Sequence, residues 1–160
     1  MRQCACALAI VATAPAQPPA PLRTLARGSD SRITAHHELV ARTAARWQLI
    51  WHEHTGSSAA PDVDFSRDMV IGVFGGSGGP DASTEIVGVT REGGSAVVRY
   101  REQRSPVDRM SRTATIAPFH IVVAPAERVP VRFVVVTSPP DDLAGHARHD
   151  AVQRAAPTTC

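Results

Sequence analysis

The sequence is 160 residues long, which is room for one domain with tails. Its net charge of +2 is too small to mark a nucleic-acid or membrane-surface protein. It has no run of about 18 apolar residues from which to make a transmembrane helix. Aromatic residues are 4% of the chain, so a core has to be assembled mainly from Val, Ile, Leu and Ala. All 17 basic residues are Arg, which alongside the abundant Ala and Pro reads as genomic base composition rather than as a binding signal.

At the start, Arg2, the apolar run Cys4–Ala12 and the small–x–small segment Ala14-Pro-Ala16 follow the order of a cleaved export signal, so residues 1–16 are assigned as a signal peptide. That assignment removes Cys4 and Cys6. Cys160 is left either to bridge two chains or, the simpler reading, to sit as an inert thiol on a frayed tail. Residues 17–31 are rich in Pro, Ser and Gly and read as a linker, with the ordered domain spanning 32–137. Glu38–Arg42 suits a short strand. Thr43 is placed to cap a helix over Ala44–His54, on which Trp47, Ile50, Trp51 and His54 recur at helical spacing on one face. Gly56 ends it.

Met69–Phe74 is the central strand. Met69, Ile71 and Val73 point to one side and Val70 and Phe74 to the other, so both faces are covered. Gly72 offers room for the helix to approach. Ser83–Arg91 and Ala96–Glu102 form a hairpin around Glu92-Gly-Gly-Ser95, whose glycines suit a tight turn. A long connection over 103–116 carries several arginines and has a length more typical of functional loops than of inert ones. Pro118–Val123 and Val131–Val136 read as a closing hairpin, and residues 138–160 as a disordered tail. The expected fold is α+β, with one tryptophan-bearing helix packed on a mainly antiparallel sheet of five or six strands. Its core is assigned to Trp47, Trp51, Phe65, Met69, Ile71, Val73, Phe74, Phe119, Ile121 and Phe133.

Four segments in this order resemble a known family. They are Arg46-Trp-Gln-Leu-Ile-Trp-His52, Val63-Asp-Phe-Ser-Arg-Asp-Met-Val-Ile-Gly-Val-Phe74, Ser83-Thr-Glu-Ile86 with Val97-Val-Arg-Tyr100, and Ala117-Pro-Phe-His-Ile-Val122. Together they are similar to the C-terminal domain of the PrcB family, protease-complex subunits among bacterial secreted proteins. The resemblance implies an extracytoplasmic, periplasmic or secreted, accessory domain whose partner is a secreted protease or another extracytoplasmic protein. One departure stands out. The family carries a Thr-Gly-Gly-Tyr-Ser type segment, whereas this chain has Gly78-Gly-Pro-Asp-Ala-Ser83, with the glycine pair shifted and the tyrosine missing. The contacts of that tyrosine therefore do not carry over.

Gly75-Gly-Ser-Gly-Gly79 spells the GxSxG nucleophile elbow after a strand, but an elbow needs a helix to follow, and here Pro80 and a β-rich run follow. A rival reading is a small serine hydrolase using Ser77 with His120 as base. The loop lacks the Lys-Ser/Thr of a phosphate-binding loop. Asp62, Asp64 and Asp68 lack the further oxygen ligands, the glycine and the closing glutamate of a calcium loop. The histidines do not form a three-ligand zinc set. No catalytic residue, metal or cofactor is assigned. Arg99, Arg101, Arg104, Arg109 and Arg112 are the densest basic run and the candidate binding residues, with an anionic-ligand module as the third reading. The leading expectation is a non-catalytic, secreted, protein-binding accessory domain.

Overall fold

Both faces of Met69–Phe74 are apolar, so this strand has to lie between two layers. A computed structural model, which describes residues 20–104, 106 and 115–136, places it there. The elements are β1 (Arg23–Gly28), β2 (His36–Ala41), α1 (Ala44–Thr55), β3 (Asp68–Gly75), β4 (Ser83–Glu92), β5 (Ser95–Gln103), β6 (Phe119–Pro125) and β7 (Val131–Val135). Four strands form an antiparallel sheet in the order β1-β6-β3-β2. Three form a second sheet in the order β4-β5-β7, where β4 and β5 are antiparallel and β5 and β7 parallel. The protein is thus mostly sheet with one helix, an α+β arrangement. The expected single sheet of five or six strands is instead two sheets with seven strands between them.

Two cores follow from the alternation of side chains along the middle strands. Val70, Phe74, Phe119, Ile121 and Val123 face α1 and meet Trp47 and Ile50, with Trp51 and Phe65 packed at the margin. Met69, Ile71, Val73, Val122 and Ala124 face the second sheet and meet Ile86, Val89, Val98 and Tyr100, with Phe133 at the margin. Each fully buried Val, Ile or Phe contributes about 1.5–3 kcal/mol, so the two-sided β3 and β6 dominate the stability.

The helix forms as its sequence predicts. Thr43 is extended, with φ −143° and ψ 150°, and its hydroxyl accepts from the Arg46 N–H. Gly56 ends the helix in the left-handed region at φ 79°, its N–H donating to His52 O. The Trp47 indole donates to Pro61 O at 2.8 Å and ties the helix to the segment leading into β3. His54, on the same face, is buried between Phe74 and Phe119, with ring centroids 5.5 and 4.2 Å away. Its Nδ1 shares a 2.9 Å hydrogen bond with Ser31 Oγ, and burial lowers its pKa.

Three further expectations are corrected. The stretch read as linker supplies β1, which is half exposed and held by its pairing with β6 rather than by an apolar pattern of its own. β6 and β7 are not a hairpin. β6 is buried on both faces and sits between β1 and β3, while β7, only half buried, crosses to the edge of the other sheet beside β5. Gly72 makes room not for the helix but for Leu39 of the paired strand, whose Cδ1 lies 3.1 Å from where a Cβ would be. The β4–β5 hairpin forms as expected, turning at Gly93 and Gly94 with φ of 54° and 80°. Among the described residues no helix is long and apolar enough to cross a membrane. Residues 1–16, assigned above as a signal peptide, and residues 138–160, assigned as a tail, lie outside the described residues, as does most of the 103–116 connection.

Candidate functional site

The gap between the sheets is apolar along most of its length and turns polar at one end. On β5 the inward positions run Val98, Tyr100, Glu102, and on β2 the facing positions run Val40, Glu38, His36. The Tyr100 hydroxyl donates to Glu38 Oε1 at 2.6 Å, linking the two sheets. Burial first, and this hydrogen bond second, push the phenol well above its usual pKa.

One step further out is Glu102, whose side chain is only 5% exposed. Its Oε2 accepts from the Arg104 guanidinium at 3.1 Å. Its Oε1 is buried and has no hydrogen-bond partner among the described residues. His36 Nδ1 comes within 3.4 Å of Oε1 without reaching hydrogen-bond geometry. Thr84, paired in register with Glu102 on β4, has a hydroxyl that is likewise buried and unpartnered among the described residues. Buried polar atoms are nearly always matched, so two orphans side by side at one end of a sandwich need a reason.

The glycine-rich loop forms the wall above them. β3 ends at Gly75, where a Cβ would lie 2.8 Å from Thr84 Oγ1 and 3.2 Å from Pro118 Cγ. Only glycine lets the strand close onto Thr84 there. Gly76 then turns with φ 78°. The loop is stitched on both sides: the Ser77 N–H donates to Thr34 O at 2.8 Å, and Gly78 exchanges backbone hydrogen bonds of 2.8 and 3.0 Å with Ile116. The result is a held cleft of about 490 Å³. Gly75–Gly78, His36, Pro118, Glu102, Gln103, Arg104 and Pro106 are among the residues that line it. Its size is that of a ligand site.

Other candidates from the sequence fall elsewhere. Ser77 is exposed at the cleft wall, but an elbow relies on the N–H of the next residue for its oxyanion, and that of Gly78 is spent on Ile116. No helix follows the loop, since β4 begins at Ser83. His120 is not at Ser77's disposal. The Ile86 N–H donates to its Nδ1 at 2.9 Å, so the ring proton sits on Nε2 and is given to Thr24 Oγ1 at 3.0 Å. His120 thereby joins β1, β6 and β4, and burial lowers its pKa, with Arg27 adding to the effect.

Among the described residues of the arginine run, Arg99, Arg101 and Arg104 do not assemble into one patch. Arg99 is bound to Thr90 Oγ1 and Glu92 Oε1, both at 2.6 Å, and Arg101 reaches Glu85 at 3.7 Å. Their positions alternate with the inward Val98, Tyr100 and Glu102, which puts them on the other face of the sheet. Arg104 alone lines the cleft, and Arg109 and Arg112 lie outside the described residues. Asp64 shapes a turn, its Oδ1 accepting from the Ser66 N–H and hydroxyl, which lowers its pKa. Among the described residues no three His, Cys, Asp or Glu side chains are grouped to hold a metal ion.

Sequence reasoning missed His36, Glu38, Thr84 and Glu102. The signal was the alternation itself: Val98-x-Tyr100-x-Glu102 continues a buried face into a carboxylate. No protein-family model, curated protein or solved structure matches this chain.

Proposed function

We propose that this chain is a non-catalytic binding domain that engages a partner protein through the cleft between β2, β5 and the Gly75–Ala82 loop. The observation that carries this reading is Glu102, a 5% exposed carboxylate with one unmatched oxygen on the wall of a cleft held open by backbone hydrogen bonds. An acceptor buried without a partner costs about 1–3 kcal/mol, more if charged, and a ligand that matches it recovers that cost on binding. The groups that would serve a hydrolase are committed to the fold: the Gly78 N–H to Ile116, and both ring nitrogens of His120 to Ile86 and Thr24. The resemblance to protease-complex subunits supports an extracytoplasmic accessory role, with a secreted protease or another extracytoplasmic protein as the partner.

The test is photo-crosslinking. A benzoylphenylalanine placed at Ser77, on the cleft wall, is compared with one at Leu49, 64% exposed on the helix. In the native extracytoplasmic fraction the Ser77 probe is expected to give a discrete adduct that the Leu49 probe does not. Equal adducts, or none at Ser77, sink the cleft as the binding surface. Labelling of wild-type Ser77 by a fluorophosphonate would overturn the non-catalytic part.

A further inference from the structure

We infer that the cleft takes a primary ammonium group, from a lysine side chain or a chain N-terminus of the partner, against Glu102. The inference rests on the cleft being the binding surface, and adds the chemistry that the surface selects.

The cleft and its surroundings select an ammonium on several grounds. The unmatched atom is an acceptor, Oε1 of Glu102, so the ligand has to bring a donor. Behind the lining, on β2 of the facing sheet, a second carboxylate, Glu38, accepts from Tyr100 and has its Oε1 3.9 Å from His36 Nε2. An anionic ligand at Oε1 would meet the Glu102 charge directly and that of Glu38 at longer range, whereas a cation is favoured by both; the cleft-lining guanidinium of Arg104 is already held on Oε2. The two organic cation classes are separated by geometry. A guanidinium binds a carboxylate best through both oxygens at once, but Oε2 already accepts from Arg104. A single free oxygen suits a compact, point-like donor, which is the lysine or α-amino ammonium. A bare metal ion is disfavoured, because calcium takes six to eight oxygens and no three-ligand group is present among the described residues. Finally, Pro106, Pro118 and Ala82 give the cleft an apolar lining along which a methylene stem can lie while its head reaches the carboxylate.

The experiment is an amide-resolved NMR titration of the whole chain with small probes. Nα-acetyl-lysine amide carries only a side-chain ammonium, glycinamide only an α-ammonium, and Nα-acetyl-norleucine amide the apolar stem without charge; glutarate tests the opposite sign. The expected result is that one or both ammonium probes shift the amides of Gly76–Gly78, Ser83 and Gln103, while norleucine amide and glutarate do not. Which ammonium probe binds more tightly identifies the source of the group. Glu102→Gln is expected to weaken that binding by about tenfold or more, the loss of one charge-assisted hydrogen bond.

An unchanged affinity in Glu102→Gln overturns the inference. So does norleucine amide or glutarate moving the same amides as strongly as the lysine probe, or silence of all four probes. In each case the crosslinking at Ser77 still decides separately whether the cleft is the binding surface. If Glu102→Gln loses its dispersed spectrum, the lysine–norleucine comparison on the wild-type chain decides alone.

Discussion

His120 and Glu102 are both polar side chains on the inner faces of this sandwich, and both are almost wholly buried, His120 at 4% exposure and the Glu102 side chain at 5%. They are opposite cases. Every polar atom of the His120 ring is matched by another strand, and the ring pins the edge strand β4 to the first sheet through the Ile86 N–H. Glu102 has one oxygen tied to an exposed arginine, while the other has His36 Nδ1 at 3.4 Å but no hydrogen bond among the described residues. Residue type alone would rank the histidine as the chemical group and the glutamate as surface charge. Hydrogen bonding reverses the order: the satisfied group is structural, and the unsatisfied one is where the proposed ligand contact lies.

Replacing each residue tests that contrast. His120→Ala is expected to have the largest effect, a loss of about 3 kcal/mol, because it leaves the buried Ile86 N–H unmatched and opens a cavity. Urea unfolding followed by circular dichroism measures it, and a loss below about 1 kcal/mol would remove His120 from its structural role.

Acid should strain the same site. The folded-state pKa values of His54 and His120 are lowered from the ordinary 6.5, chiefly by burial. The unfolded chain therefore binds more protons, so stability is full above that value and falls as pH drops below it. For His120 the added proton would go to Nδ1, where it would displace the Ile86 N–H. Urea midpoints taken from about pH 8 down to about pH 5 should fall, and a flat profile would contradict the neutral assignment.

The smallest effect is expected at Glu102→Gln, with stability within about 0.5 kcal/mol of wild type or slightly raised, since it removes a buried charge without opening space. A loss above about 1.5 kcal/mol in the same urea experiment would show Glu102 to be a structural group like His120.

What the sequence revealed follows the same line between local pattern and distant partner. The helix, its Thr43 and Gly56 ends, the two-sided β3 and the β4–β5 hairpin are written in neighbouring residues, through capping chemistry, period-two alternation and a Gly-Gly turn. β1 was illegible because Arg23–Gly28 has no apolar stripe; its stability comes from β6. The two-sheet split was illegible because nothing in Val131–Val135 says which edge it will join. Of the site, Arg104 was singled out, but the carboxylates were not. Beginning β2 at Glu38 left His36 outside a strand, and Glu102 becomes special only when the second sheet is laid over the first.

The placement of β6 also sets when this chain can fold. Thr24 and His120 are 96 residues apart in sequence and bonded in the fold. A nascent chain that has not yet delivered Phe119–Pro125 has no partner for β1, and β3 lacks its long inner neighbour. The β4–β5 hairpin can close on itself early, but the sandwich cannot, because its keystone follows β1 to β5 in the chain. Until then the chain remains open, and closing so distant a pair makes folding slow, in the range of about milliseconds to seconds. A lesion in β6 would therefore delay the whole molecule, whereas one in the hairpin turn would be felt locally.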